Sequence, residues 1–470
     1  MSRERLLFVT GRLAEPSLRD VLRPLAERVG FDYEIAVLGI SVAALMHVDW
    51  LRRKLVVPPE MTRVILPGWC LGDLDALSAP FGVPCVRGPK DLFDLPEFFG
   101  KQGRATPTLD EYGIEILAEI NHAPRLSEDE LLRQANSYRE SGADLIDLGC
   151  IPGEPWATIG PAVKRLRDDG FRISVDSFAQ EEVEEAVAAG AELVLSCNQS
   201  NVAWASKLPV EFVVIPDDVR DLDSWDTTCQ RLGEAGRPYR LDPVLEPIGF
   251  GFAASLERYF ETRRRHPDAS MMMGTGNLTE LTEVDSAGIS FLLAAICEEL
   301  TIHSILTTEV INWSRTAVRE FDLARRLVRH SLKNRVLPKH LGGQLVLLRD
   351  PKLREIGDEG LRLMAGRLTD PNFRVFAERG EIHVMNRDGY WHGADPYEVF
   401  DRMHADVGSL TAEHSFYLGM ELCKARTALT LGKRYLQDEA LRWGFLSVDE
   451  ISAVARRKHR KDAANTDSNP

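Results

Sequence analysis

The sequence predicts an α/β protein with a central (β/α)8 TIM barrel, preceded by a small parallel α/β domain and followed by a mixed α+β domain. Three observations predict it. Between Ile114 and Leu332, eight apolar strand-like runs alternate with amphipathic segments, and eight β/α units in about 220 residues is the length of a compact barrel. The first hundred residues alternate in the same way on a smaller scale. Beyond Lys333 the alternation gives way to mixed strands and loops and then to a long helical run. The implied division is 1–105, 106–332 and 333–455, with 456–470 as a polar tail. A chain of 470 residues has room for it, at roughly 100 to 200 residues per domain.

In the first domain the strand candidates are Leu6 to Thr10, Tyr33 to Leu38 and Arg63 to Pro67. Helical stretches from Leu18 to Val29 and from Val42 to Leu55 separate them, an order that implies a parallel layer. Val9-Thr10-Gly11 and Leu66-Pro67-Gly68 close strands with turn residues. They suit a ligand crevice and suit equally the plain turns that glycine closes in any α/β layer. Asp91 to Gly103 reads as a linker or docking loop.

In the barrel the strands are expected at Ile114 to Ile120, Ala143 to Gly149, Arg172 to Ser177, Glu192 to Asn198, Glu211 to Asp217, Tyr239 to Val244, Ser270 to Gly276 and Ser304 to Val310. Ser127 with Glu130 and Ser177 with Gln180 have capping-box spacing, and Gly142 and Gly190 fall where helices should stop. The stretch between the fourth and fifth strands is short for a helix. In the last domain, strands are expected at Phe373 to Phe376 and Glu381 to Met385, and a helix from Ser415 to Tyr435. The tail, with Arg456-Arg457-Lys458-His459-Arg460-Lys461, lacks the apolar residues to fold.

Composition narrows the function classes. With 44% hydrophobic and 27% charged residues and no apolar run near the roughly 20 residues of a bilayer span, no membrane role is expected. The start of the chain carries no cleavable signal pattern, so a cytoplasmic location is expected. Seven scattered cysteines without a CxxC pair argue against a disulfide framework or a zinc knuckle. A net charge of −15 disfavours nucleic acid and anionic lipid, which need basic surface to exchange for counterions. The expected partner is a small molecule, with a homodimer or a pathway protein besides.

In a TIM barrel the functional side chains stand at the carboxyl ends of the strands. Here those ends offer Glu119 and Asn121, Asp147, Asp176, Cys197 and Asn198, Asp217, Asp242, Asn277, and Thr308 with Glu309. Any one of them serves as a helix cap or a solvated loop residue, but their convergence on one rim describes a pocket. Carboxylates and carboxamides with few basic groups suit a neutral ligand rich in hydrogen-bond donors. A pterin is such a ligand, because its aminopyrimidinone edge sets an amino group beside a ring N–H and a carboxylate can accept from both.

Several of these segments resemble dihydropteroate synthases. Glu119-Ile120-Asn121 resembles their first-strand motif, Gly142-Ala143-Asp144-Leu145-Ile146-Asp147-Leu148-Gly149 their second, and Ile173-Ser174-Val175-Asp176-Ser177 their third. Leu241-Asp242-Pro243 with Gly249-Phe250-Gly251-Phe252 is similar to their sixth. The resemblance covers a little under half the chain. It implies that Asp176 and Asp242 hold a pterin ring, with Asn198 as the stand-in for a fourth-strand asparagine that is displaced here, that Asn121 sits near a diphosphate and Mg²⁺, and that Asp147 lines the floor. The layout of the whole chain is similar to a related group that accompanies tetrahydromethanopterin-linked one-carbon metabolism. His414-Ser415-Phe416-Tyr417-Leu418-Gly419, Lys433-Arg434-Tyr435 and Gln437-Asp438-Glu439 resemble that group's carboxyl-terminal region.

The chain also departs from the synthases. Cys150-Ile151-Pro152-Gly153-Glu154-Pro155-Trp156 stands where they have a polar loop, and Asn277 stands at the seventh strand where they have a lysine. That asparagine is similar to the cobalamin-linked pterin methyltransferases, where an Asn lies near the reacting pterin nitrogen. The eighth strand has Leu306-Thr307-Thr308-Glu309 in place of an Arg and a His. Lys164, Arg165, Lys207 and Arg315 are the loop cations available to an anion, and each also suits a solvated surface. Three readings therefore stand together. They are a transferase joining a pterin methylene to an arylamine, with Asn277 and Asp147 as its catalytic candidates, a pterin-dependent methyltransferase subunit, and a noncatalytic pterin-binding or assembly protein.

Overall fold

The computed structural model describes residues 3–90, 92–101, 107–339, 341–351, 353 and 355–450. The tail expected at 456–470 and parts of the loop expected at Asp91 to Gly103 lie outside the described residues. The chain packs as two compact units. One comprises 1–277, 291–307 and 324–343, and the other 278–290, 308–323 and 344 onward.

The first unit opens with β1 (Glu4–Gly11), β2 (Phe31–Leu38), β3 (Arg63–Leu66) and β4 (Cys85–Arg87), all parallel, in the order β2-β1-β3-β4. The expected parallel layer is present, with β4 as an additional edge strand. β1 is central and buried from Leu6 to Gly11, which explains its unbroken apolar run. Because β2 and β3 lie on opposite sides of β1, the connections diverge at the carboxyl ends of β1 and β3, the usual place for a crevice. A cavity of about 150 Å³ lies there, lined by Val9, Thr10, Pro67, Gly68, Trp69 and Lys90 among others. Gly68 is required by packing, since a Cβ would sit 2.4 Å from the Pro89 carbonyl oxygen.

The barrel follows, with β5 (Glu115–Ile120), β6 (Leu145–Gly149), β7 (Ile173–Asp176), β8 (Leu193–Cys197), β9 (Glu211–Val214), β10 (Tyr239–Leu241), β11 (Met272–Gly274) and β12 (Ser304–Thr307). All neighbours are parallel, in the order β10-β9-β8-β7-β6-β5-β12-β11. Leu241 bridges to Met271, and its N–H donates to the Ser270 carbonyl at 2.8 Å, which closes the ring. Apolar residues such as Leu117, Leu145, Leu193, Val213 and Met272 cluster together, so the barrel is packed and not a pore. At the strand starts Arg240 pairs with both Glu115 and Glu211, and Arg172 also reaches Glu115. That network ties β5, β7, β9 and β10 at the end away from the expected site.

The helix Glu128–Ser141 starts with the expected capping box, in which Ser127 and Glu130 satisfy each other's backbone N–H. Gly142 (φ 106°) and Gly190 (φ 105°) end helices in the left-handed conformation, as their positions imply. The capping box expected at Ser177 does not form. The helix Gln180–Ala189 is preceded by Ala179, and the Ser177 hydroxyl instead donates to Glu182 and accepts from the Ala179 N–H. A buried carboxylate one turn on outcompeted the cap. Between β8 and β9 only the four-residue helix Val202–Ala205 forms.

The second unit carries β13 (Arg374–Glu378), β14 (Glu381–Asn386) and β15 (Gly389–Gly393), an antiparallel meander in that order, of which β15 is an addition to the expected strands. Val375, Ile382, Val384 and Trp391 share a core with Met403 and Leu418 from the helices Pro396–Val407 and Ala412–Leu431. Most of the motif residues of the carboxyl-terminal region hold this unit together. Buried Lys433 donates to the Leu347 carbonyl at 2.8 Å and pairs with Asp350, and the Tyr435 hydroxyl donates to Glu421 at 2.6 Å. Gln437 accepts from Val375 N–H and donates to the Phe373 carbonyl, fastening the edge of β13. Among the described residues no helix is long and apolar enough to cross a membrane.

Candidate functional site

The barrel register puts carboxylates side by side. Glu119 on β5 is level with Asp147 on β6, and Asp147 is level with Ser174 on β7, whose hydroxyl donates to Asp147 at 2.7 Å. One layer higher, Asp176 is level with Gly149. Gly149 is needed there, because a Cβ would lie 2.6 Å from a Glu119 carboxylate oxygen. Asn121 donates to Glu119 at 3.3 Å, while its own carbonyl oxygen is buried without a hydrogen-bond partner.

Asp147 is fully buried, and its second carboxylate oxygen has no hydrogen-bond partner. Burial, then the negative charges of Asp176 and Glu119, push it well above the ordinary carboxylate range, against the Ser174 hydrogen bond. Burial also raises Asp176, opposed by the Ser196 hydroxyl, which donates to it at 3.0 Å. Such a group holds fewer charges than carboxyls at neutral pH, because like charges in a low-dielectric pocket cannot all ionise.

Ser196 reaches Asp176 because β8 is irregular. Its register against β9 shifts between Val194 and Cys197, and Ser196 takes a left-handed conformation at φ 67°. Beside Asp176 opens a cavity of about 390 Å³, lined by the Cys150–Pro155 loop, Ser177, Phe178 and Glu182. Glu182 accepts from the Trp156 N–H at 2.8 Å and so fixes that loop. Burial, with Glu182 adding to it, pushes the Cys150 thiol far up, so this cysteine is not a thiolate nucleophile.

Asp242 follows the end of β10. It accepts from the Tyr259 hydroxyl at 2.6 Å and from the Val244 N–H at 2.8 Å. Burial raises it, and the Tyr259, Val244 and Gly274 hydrogen bonds and the Arg258 charge work against burial. Val244 has φ 65°, a costly conformation for a β-branched residue, typically about 1–3 kcal/mol. Arg258 holds it there, donating to the Pro243 and Val244 carbonyls and pairing with Glu246 at 2.8 Å.

The remaining candidates lie beyond the strands. Asn198 accepts from Ser200 through backbone and hydroxyl, and exposed Asp217 accepts from the Gln199 N–H at 3.1 Å. Asn277 sits on the short helix Gly276–Thr279, past the end of β11, and donates to the Leu245 carbonyl at 2.7 Å. Glu309, in the second unit, accepts from the Val318 N–H at 3.0 Å, and burial, partly offset by that bond, pushes it up to about 7. Of the four cations expected in loops, Lys164 and Arg165 lie instead in the helix Ile159–Asp168, where Arg165 pairs with Asp169. Sequence reasoning missed Ser196, Glu182, Tyr259 and Arg258, which act on the rim carboxylates or their loops. Only Glu182 carried a signal, as an acidic residue in the first turn of a helix whose Ser177 was spaced to cap it.

Residues 4–90 match a family of unknown function, DUF6513. An uncharacterized protein of Methanocaldococcus jannaschii is 26% identical over an alignment that spans 92% of this chain and 98% of that protein. Among solved structures, a Yersinia pestis dihydropteroate synthase in complex with a sulfonamide drug is 19% identical, covering 47% of this chain and 94% of its own, with a TM-score of 0.38. The Thermus thermophilus dihydropteroate synthase in complex with 4-aminobenzoate is 22% identical, with coverage of 47% and 95% and a TM-score of 0.37.

Proposed function

We propose that the barrel rim binds a pterin between Asp176 and Asp242, and that the protein is a dihydropteroate-synthase-like transferase joining a pterin methylene to an arylamine in tetrahydromethanopterin- or folate-type cofactor biosynthesis. The observation that carries this is a pair of sequestered carboxylates at the ends of β7 and β10, each anchored by a hydroxyl, from Ser196 and Tyr259. Carboxylates anchored in this way and withdrawn from water are acceptors for the amino and ring N–H donors of an aminopyrimidinone. Unpaired, such buried groups cost about 1–3 kcal/mol each, which favours a ligand that supplies donors over an isostere that does not. Burial and the negative charges of Asp176 and Glu119 raise Asp147 the most, so Asp147 is the member of the cluster that takes up a proton first. Phe178, half exposed beside Asp176, offers a face to a planar ring.

In the condensation the arylamine nitrogen attacks the methylene carbon, the carbon–oxygen bond to diphosphate breaks and the amine loses a proton. The buried, unpartnered carbonyl oxygen of Asn121, beside Glu119, fits a hard cation such as Mg²⁺. When bound, that ion would neutralise the departing diphosphate. A second reading has an observation of its own. Arg258, the cation acting on Asp242, is committed to Glu246 and two carbonyls, and by the sequence resemblance Asn277 takes the position of a synthase lysine. This favours a pterin-binding protein without condensation, either a methyltransferase subunit or an assembly protein. Our proposal extends to a cytoplasmic location and to a homodimer or a pathway protein as partner.

Calorimetry with a dihydropterin, its diphosphate and a methylated tetrahydropterin separates these readings. Tight binding of the diphosphate alone, strengthened by Mg²⁺, is the result expected for condensation. Preference for the methylated form indicates transfer, and equal binding without turnover indicates a carrier. If Asp176→Ala and Asp242→Ala both leave pterin binding unchanged, the pocket assignment is wrong.

A further inference from the structure

The meander of the second unit carries a side-chain cluster that the barrel chemistry does not use. Ile382, Val384 and Trp391 face the core of that unit, so strand alternation turns Glu381, His383, Tyr390 and His392 to the opposite face. Glu381 and His383 are two residues apart on β14, and the register sets His383 directly across from His392 on β15. One ligand-capable atom from each of Glu381, His383 and His392 lies within 4.8 Å of those of the other two. A tetrahedral cation held at about 2.0–2.2 Å draws its ligand atoms to roughly 3.4 Å apart, within reach of small side-chain rotations.

His383 gives the cluster its direction. The residue is 1% exposed, its Nδ1 lies 2.9 Å from the Tyr390 hydroxyl oxygen, and its Nε2 is buried with no hydrogen-bond partner. An Nδ1–H donating to Tyr390 leaves the Nε2 lone pair bare and fixed in place, the arrangement that prepares an imidazole for a metal. His392 Nδ1 lies 2.8 Å from Glu381, and its ring stacks on both His383 and Tyr390. The three groups therefore lie together beside a buried nitrogen that has no hydrogen-bond partner, an arrangement that a bound cation would satisfy.

We infer that Glu381, His383 and His392 bind one divalent transition-metal cation, with Zn²⁺ as the expected occupant and Tyr390 orienting His383. Two imidazoles and a carboxylate suit zinc, whereas Mg²⁺ and Ca²⁺ prefer all-oxygen sites and Cu(I) prefers thiolates. Three protein ligands leave a fourth position for water or another ligand.

The test uses the full chain, stripped with a chelator and titrated with Zn²⁺ by calorimetry and with Co²⁺ by visible absorption. One equivalent per chain is expected, with cobalt ligand-field bands that Zn²⁺ displaces and no thiolate-to-metal charge transfer, which sets this site apart from any cysteine site. His392→Ala and Glu381→Gln should weaken binding at least about tenfold, and Tyr390→Phe by about 10- to 100-fold through lost orientation. The His392 side chain is 42% exposed, so His392→Ala keeps the fold and carries the test if buried His383→Ala does not fold. The inference is overturned if the wild type binds no Zn²⁺, if Mg²⁺ competes on equal terms, or if His392→Ala and Glu381→Gln bind as the wild type does.

Discussion

Glu119 owes its position to a side chain that is missing. A methyl group on Gly149 would meet the Glu119 carboxylate at 2.6 Å, and the flexible acid, not the strand, would yield. Gly149→Ala is therefore expected to fold with nearly wild-type stability while weakening binding of a pterin diphosphate about tenfold or more, since a displaced acid loses its geometry. Calorimetry beside a thermal melt separates the two effects, and unchanged affinity would remove Glu119 from the site. The same cluster makes a pH prediction. A carboxyl whose native pKa is raised well above the ordinary range, as for Asp147, keeps its proton in the folded chain while the unfolded chain loses it. Stability is then greatest below the ordinary carboxylate range and falls as pH rises from about 4 towards the native pKa. Asp147→Asn keeps an acceptor for Ser174 and cannot ionise. Urea unfolding between pH 4.5 and 8 should show a shallower decline and a more stable variant at neutral pH, whereas an identical slope would refute the shift.

At the scale of elements, the barrel was legible because its strands are apolar runs bounded by turns, and all eight form where the pattern places them. What the pattern overstated is their length. The runs continue into Asn198 and Asp217, but the paired strands end at Cys197 and Val214, where the connections diverge, so those side chains belong to the connections, and Asn277, just past the seventh run, lies on the short helix Gly276–Thr279. Asp147 and Asp176 were legible because they lie within β6 and β7, where alternation fixes direction. Their partners were not. The bulge that aims Ser196 at Asp176 and the helix that brings Tyr259 to Asp242 are tertiary placements with no local signature. Two serines with the same capping-box spacing make the point testable. Ser127→Ala should cost about 1 kcal/mol as a lost cap. Ser177→Ala should instead release Glu182 and the Trp156 loop it holds, seen as faster proteolysis near Gly153 and weaker ligand binding. Equal effects of the two substitutions on stability and proteolysis would contradict the distinct roles seen here.

For the whole molecule, the sequence suggests domains laid end to end, while packing assembles its units from separated pieces. The second unit comprises 278–290 and 308–323, which follow β11 and β12, together with 344 onward. Those two connections are part of the barrel in sequence and part of the second unit in packing. A chain ending at Gly343 keeps all twelve parallel strands but strips the two connections of most of their own unit. If the linear division at about residue 333 described independent folding, this truncation would melt as the full chain does minus one transition. Packing predicts otherwise. The truncated chain should melt at a lower temperature than the barrel transition of the full protein and bind a hydrophobic dye, because the residues that complete the unit of 278–290 and 308–323 have gone. Calorimetric scans of the two chains decide it, and a barrel transition at the same temperature in both would show that the eight β/α units stand without the rest.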